Sequence, residues 1–113
     1  MALDDEETVQ GLDRAREVFR SSIRGQGGRV IDMAGDSVLA VFDTAAGAVR
    51  ASMDIQGELA RLFAQAPVDR AMAFRIGVHL GDVIEKSDGT VYGDGVNIAS
   101  RLQALAKPGS TVV

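Results

Sequence analysis

Gly28-Arg29-Val30-Ile31-Asp32-Met33-Ala34-Gly35-Asp36-Ser37-Val38-Leu39-Ala40-Val41-Phe42 is the stretch from which the fold can be read. Two apolar β runs, Arg29–Met33 and Val38–Phe42, flank Ala34-Gly35-Asp36-Ser37, and strands joined through a Gly-Asp pair read as a tight hairpin. Upstream, residues 4–24 read as a helix capped by Asp4 or Asp5, with Glu6 and Glu7 in its first turn. Val9, Leu12, Ala15, Phe19 and Ile23 recur along it at helical spacing. Arg16, Arg20 and Arg24 form a row at i, i+4, i+8, which reads as a solvated face, with a phosphate-binding row as the alternative. Gly25, Gly27 and Gly28 stop this helix before the hairpin begins.

Downstream, Asp43 or Thr44 caps a second helix reaching to about Ala64, with Ala48, Ser52, Ile55, Leu59 and Leu62 on one stripe. A third strand, Met72–Leu80, alternates Met72, Phe74, Ile76 and Val78 inward against Arg75, Gly77 and His79 outward. Gly81 suggests a bend, Asp82–Glu85 a further strand, and Lys86–Gly89 a turn. Asp94 reads as the N-cap of a last helix to about Ala106, ended by Pro108-Gly109, and Ser110–Val113 begins another strand. The order is α, β-hairpin, α, β, (β), α, β, which is an α/β or ferredoxin-like α+β layout.

Composition narrows the function. The 113 residues suit one domain, and 12 Lys+Arg against 16 Asp+Glu leave a net charge of −4. That balance argues against nucleic acid as a partner, because phosphate backbones need a concentrated positive surface. With no cysteine and His79 as the one histidine, disulfide scaffolds, thiolate metal sites, Cys nucleophiles and multi-histidine metal sites are excluded. No apolar run approaches the ~20 residues that span a bilayer, so no membrane insertion is expected and a cytoplasmic location is.

Two constellations carry chemistry. Asp36, in the turn between two strands, can project a carboxylate from the sheet edge, although Asp also favours turns for its own amide hydrogen bonds. In Tyr92-Gly93-Asp94-Gly95-Val96-Asn97-Ile98-Ala99-Ser100-Arg101, Asn97 and Arg101 are i, i+4 and share one helix face. An amide and a guanidinium aimed at one place can stabilise a charged phosphoryl transition state; they can equally be a surface polar pair. A calcium loop fits poorly, since Asp88, Thr90 and Tyr92 do not supply oxygen ligands at the required positions.

Taken together, Gly28–Phe42, Phe74–Ile84 and Tyr92–Leu102 resemble three blocks of the class III adenylate/guanylate cyclase catalytic domain, in family order and spacing over essentially the whole chain. The resemblance implies an α+β, ferredoxin-like nucleotide cyclase fold: an antiparallel sheet with helices on one face, with residues 1–113 forming one catalytic domain. It also implies conversion of ATP to cyclic AMP and pyrophosphate for intracellular signalling. In the family, the Asp of the hairpin Gly-Asp, here Asp36, is one of two aspartates holding two Mg²⁺ or Mn²⁺ ions. The Asn and Arg of the later helix, matched by Asn97 and Arg101, orient the ribose and stabilise the pentavalent phosphorus. Sites form between two domains packed head to tail, so a homodimer is implied.

Departures from the family pattern qualify this. The second metal aspartate lies in the family on a first strand, and no matching strand or aspartate stands ahead of the first helix here. The family lysine that contacts the triphosphate normally falls beyond residue 113, among C-terminal strands the chain does not include. The 113-residue chain is therefore expected to be an inactive fragment. The base-reading positions are Asp32, four before Asp36, and Thr90, seven before Asn97. The family usually has Lys or Glu at the first of these; Thr90 fits a subgroup of adenylate cyclases. ATP is the expected substrate and GTP the alternative, because a carboxylate at Asp32 readily accepts from guanine. A degenerate cyclase-homology module serving regulation or dimerisation is the competing reading. Without the first strand, which is central in a ferredoxin-like sheet, Val38–Phe42 and Met72–Leu80 are expected either to pair directly or to borrow a strand from another chain.

Overall fold

The computed structural model describes the backbone of residues 2–34, 37–64 and 73–113, with side-chain environments from Gln10 onward. The chain runs α1 (Ala2–Gly25), β1 (Gly28–Ala34), β2 (Ser37–Phe42), α2 (Ala45–Leu62), β3 (Ile76–Gly77), β4 (Ile84–Glu85), β5 (Val91–Tyr92), α3 (Asp94–Leu105) and β6 (Thr111–Val112). It is a mixed α+β architecture.

α1 begins at Ala2, ahead of the Asp4 or Asp5 expected to cap it. Its Ala15, Phe19 and Ile23 are buried one turn apart and meet Ile55 and Leu59 of α2. Val30, Met33, Val38, Ala40 and Phe42 of the β1–β2 hairpin pack against this cluster, as do Phe74 and Ile76. Phe19 and Phe74 meet edge to face, with ring centroids 5.3 Å apart and planes at 65°. The arginine row is a solvated face: Arg20 pairs with Glu17 at 3.5 Å and Arg16 with Asp13 at 3.7 Å within the helix. α2 is capped by Thr44, whose hydroxyl oxygen accepts from the Gly47 N–H at 3.0 Å.

Three two-stranded ladders result, β1–β2, β3–β6 and β4–β5. β1–β2 is the antiparallel hairpin expected; β4–β5 is a second antiparallel hairpin, whose strand Val91–Tyr92 was not expected, and β3–β6 is parallel. The run expected as strand Met72–Leu80 contributes only Ile76 and Gly77 to a ladder, and Met72 lies outside the described residues. The hydrogen bonding nonetheless extends beyond those two residues. The Gly109 N–H donates to the Phe74 carbonyl at 3.0 Å, Ile76 N–H to Ser110 at 3.1 Å and Val78 N–H to Val112 at 2.9 Å. Gln56 of α2 fastens this junction to the helical layer, its Nε2 donating to the Phe74 carbonyl at 2.9 Å and to the Ser110 carbonyl at 3.1 Å. Direct pairing of Val38–Phe42 with the third-strand run does not occur among the described residues. One edge of β2 and one edge of β3 thus have no ladder partner there.

Gly77 was expected on the outward, polar side with Arg75 and His79. Arg75 and His79 are exposed, but Gly77 is covered by α3. A Cβ on Gly77 would stand 2.3 Å from the Ala99 carbonyl oxygen and 2.4 Å from the Gln103 nitrogen. The two backbones touch, and only hydrogen fits between them.

On β6, the Thr111 hydroxyl is buried with no hydrogen-bond partner among the described residues. Thr111→Val keeps the shape and removes the orphaned polar atom, so it is expected to raise unfolding free energy by about 1 kcal/mol in urea titration.

Candidate functional site

α3 carries the expected phosphoryl-facing pair. It opens at Gly93, not Asp94: Gly93 is the N-cap residue at φ 131°, a backbone conformation open to glycine and costly for other residues, and no side chain caps the helix. Asp94 instead occupies the first turn, where its charge suits the positive end of the helix dipole. Gly95 is buried, and Val96, Ala99 and Leu102 are half-buried along the inner stripe. Asn97 and Arg101 stand one turn apart on the exposed face. Neither makes a side-chain hydrogen bond or ion pair among the described residues, so both heads are available to a ligand.

Asp32 owes its position to an irregularity in β1. Val30 pairs with Ala40 and Asp32 with Leu39, so Ile31 is an extra residue with no partner of its own. This is a β-bulge, and it reverses the inside–outside alternation beyond it. Val30 and Met33 both face the core, although three apart, while Asp32 is turned out to solvent. An unbroken strand would have put the Asp32 carboxylate on the core face beside Val30, at a large desolvation cost.

Thr90 lies at the end of the β4–β5 loop, where Asp88 organises it. One Asp88 oxygen, Oδ1, accepts from the Thr90 backbone N–H at 3.0 Å and from the Thr90 hydroxyl at 2.7 Å. These bonds, the hydroxyl's first, hold the Asp88 carboxyl below the usual carboxylate range. The Lys86 N–H donates to the Thr90 carbonyl at 2.8 Å, and Gly89 N–H to the Lys86 carbonyl at 2.9 Å, closing the expected turn. Tyr92 is half-exposed, with the Lys86 ammonium 4.7 Å above its ring.

A bidentate ion pair between Arg29 of β1 and Glu85 of β4 ties the strand bearing Asp32 to the hairpin bearing Thr90; its Nη2–Oε2 arm measures 2.9 Å. The Arg29 hydrogen bond holds the Glu85 carboxyl below its ordinary value. Arg29 and Glu85 are not singled out by the sequence, and Asp88 enters there only through a calcium loop that fits poorly. Asp88-Gly89-Thr90 was legible in principle, as an Asp that bonds the backbone two residues on. The Arg29–Glu85 pair, 56 residues apart, had no local signal.

Both carboxylates bind protons more weakly in the folded chain than in the unfolded one. Their contribution is full above the unfolded values near ~4 and is lost as pH falls through the lower folded values. Amide-exchange protection in the β4–β5 hairpin is therefore expected to be flat from pH 7 to 5 and to drop below pH ~4.

Gly35 and Asp36, the expected metal-ligand turn, lie outside the described residues. Among the described residues, no three of His, Cys, Asp and Glu gather where they could hold a metal ion. These residues alone do not assemble a metal centre. None of the described helices is long and apolar enough to cross a membrane.

The adenylate and guanylate cyclase catalytic domain family matches residues 2–113, and the chain belongs to that family. It is 40% identical over 112 residues to "Putative adenylate cyclase 3" of Rhizobium meliloti (strain 1021), covering 96% of this chain and 19% of that protein. The crystal structure of an adenylate/guanylate cyclase/hydrolase from Silicibacter pomeroyi superposes with a TM-score of 0.78 at 36% identity, over 85% of this chain and 56% of that one. A bacterial light-regulated adenylyl cyclase superposes with a TM-score of 0.72 at 31% identity, over 88% of this chain and 33% of that one. The chain thus spans about a fifth to just over half of these relatives, and its fold is the α+β fold of cyclase domains.

Proposed function

We propose that this chain is the core of an adenylate cyclase catalytic domain, making cyclic AMP and pyrophosphate from ATP for intracellular signalling in the cytoplasm. The observation that carries the reading is Asn97 and Arg101, one turn apart on the exposed face of α3 and without side-chain partners among the described residues, in a chain of the cyclase family. The Asn97 amide orients the ribose, and the Arg101 guanidinium takes up charge on the phosphoryl group as the 3′-oxygen attacks. Asp32, turned outward by the bulge, and Thr90 meet the purine edge. Asp36 is this chain's ligand in the reading's Mg²⁺ or Mn²⁺ site. That site needs a second aspartate, so the 113 residues alone are inactive.

Two copies packed head to tail complete the site. Ile84 and Tyr92, cross-strand partners on β4–β5, together with Leu80 and Val83 leave an exposed apolar surface that supports such packing. Asp32 in place of a longer family residue favours a second reading, a guanylate cyclase or a cyclase-homology regulatory module.

The test is cyclic-nucleotide production with Mn²⁺–ATP and Mn²⁺–GTP offered separately, by the chain alone and by the chain extended upstream. Cyclic AMP from the extended form, abolished in Asp36→Ala and Asn97→Ala variants, is expected. Cyclic GMP would make it a guanylate cyclase. A folded dimer yielding neither product would make it a regulatory module.

A further inference from the structure

Thr90 and its neighbour Asp88 bear on which purine the site accepts, an inference that rests on the cyclase reading above. A threonine hydroxyl has one hydrogen to donate and lone pairs that accept, and a free rotor can present either to a ligand. Here the rotor is not free. The ionised Asp88 carboxylate can only accept, and at 2.7 Å it takes the Thr90 hydroxyl hydrogen. The bond from the Thr90 N–H to the same Oδ1 holds the carboxylate in place, and the lowered Asp88 carboxyl keeps it charged at neutral pH. What remains on Thr90 Oγ1 toward a ligand is lone-pair density alone.

We infer that Asp88 is a specificity-determining positioning residue: by fixing Thr90 as an acceptor, it makes the site prefer a purine edge that donates there. Adenine presents its exocyclic amino group at C6. Guanine presents the O6 carbonyl at the same corner, and two acceptors facing each other repel and leave both unsatisfied. The outward-facing Asp32 carboxylate does not by itself select adenine, since it can accept from the adenine amino group or from guanine N1–H and N2–H. Discrimination therefore falls to the hydrogen polarity of Thr90, which Asp88 sets without touching the base. With Asp88 removed, the Thr90 hydroxyl regains its hydrogen and can turn to donate to O6.

The experiment measures competitive binding of ATP and GTP, and kcat/KM for each, in the full-length protein bearing Asp88→Ala, Asp88→Asn or Thr90→Val, with melting curves to check folding. The ATP:GTP ratio is expected to fall about tenfold in Asp88→Ala, mainly through a gain in GTP use. It should stay near the unsubstituted value in Asp88→Asn, whose side-chain oxygen still accepts from Thr90. Thr90→Val, which can neither donate nor accept, should lose the ATP preference too, giving a second reading of the polarity where an Asp88 variant melts early. A role confined to bracing the loop would lower both nucleotides together and leave the ratio unchanged, which overturns the inference and spares the cyclase reading. A protein that prefers GTP from the start also overturns it while remaining a cyclase. A folded dimer that neither binds nor converts either nucleotide overturns both.

Discussion

Cyclic-nucleotide production by the full-length protein is expected to fall ~10²–10³-fold in Arg101→Ala, with the melting temperature unchanged. The structural cost is small because Arg101 is exposed on α3 and pairs with nothing among the described residues. The functional cost is large because a guanidinium held in place by a helix supplies charge where the phosphoryl oxygens develop theirs, with no reorganisation during the step. The loss should appear in kcat more than in KM, since the interaction strengthens in the transition state. Arg101→Lys should recover only part of the rate, because a point charge does not reproduce the planar two-pronged donor. Arg14→Ala, an exposed arginine on α1, is the matched control and should leave the rate as it is. Equal rates in Arg101→Ala and Arg14→Ala would remove Arg101 from the site.

Gly77→Ala is expected to be the most damaging glycine-to-alanine change among the described glycines, costing about 3 kcal/mol or more in chemical denaturation. Its Cβ would meet the backbone of α3, 2.3 Å from the Ala99 oxygen and 2.4 Å from the Gln103 nitrogen. A side chain in the way can rotate aside; a helix backbone cannot. Relief requires α3 to move off β3 as a body, carrying Asn97 and Arg101 with it. Gly77→Ala should therefore lower activity even under conditions where the protein remains folded, by misplacing both residues together. Gly57→Ala, on an exposed stretch of α2 with open space around its Cα, is the comparison and should be neutral or mildly stabilising. Similar melting curves for the two variants would show that the β3–α3 contact is looser than its geometry requires.

The local features of the fold were legible because local rules produce them. The β1–β2 hairpin follows from two apolar runs around a Gly-Asp turn, and the start of α2 from Thr44 as a cap. The packing of α1 follows from Ala15, Phe19 and Ile23 recurring at the helical period. Asn97 and Arg101 were placed on one helix face by their spacing alone. Errors began wherever a partner distant in sequence decided the outcome. Met72–Leu80 carries a strand-like alternation along much of its length. Its register depends on Ser110–Val112, which zips against it in parallel and leaves its other edge without a ladder partner among the described residues. Gly77 was set on an outer face because alternation does not reveal that α3 lies there.

The site divides along the same line. Residue types and spacing determined by themselves which groups can do phosphoryl chemistry, since the reach of an amide or a guanidinium is a property of the side chain and its helix position. Tertiary structure alone decided two matters: that a bulge at Ile31 turns Asp32 outward, and that Arg29 and Glu85 join β1, which bears Asp32, to the β4–β5 hairpin, whose loop holds Thr90. Each depends on how one segment is registered against another. Such choices are made by the whole chain's packing, because the competing local arrangements differ by less than the energy of a single hydrogen bond or buried side chain.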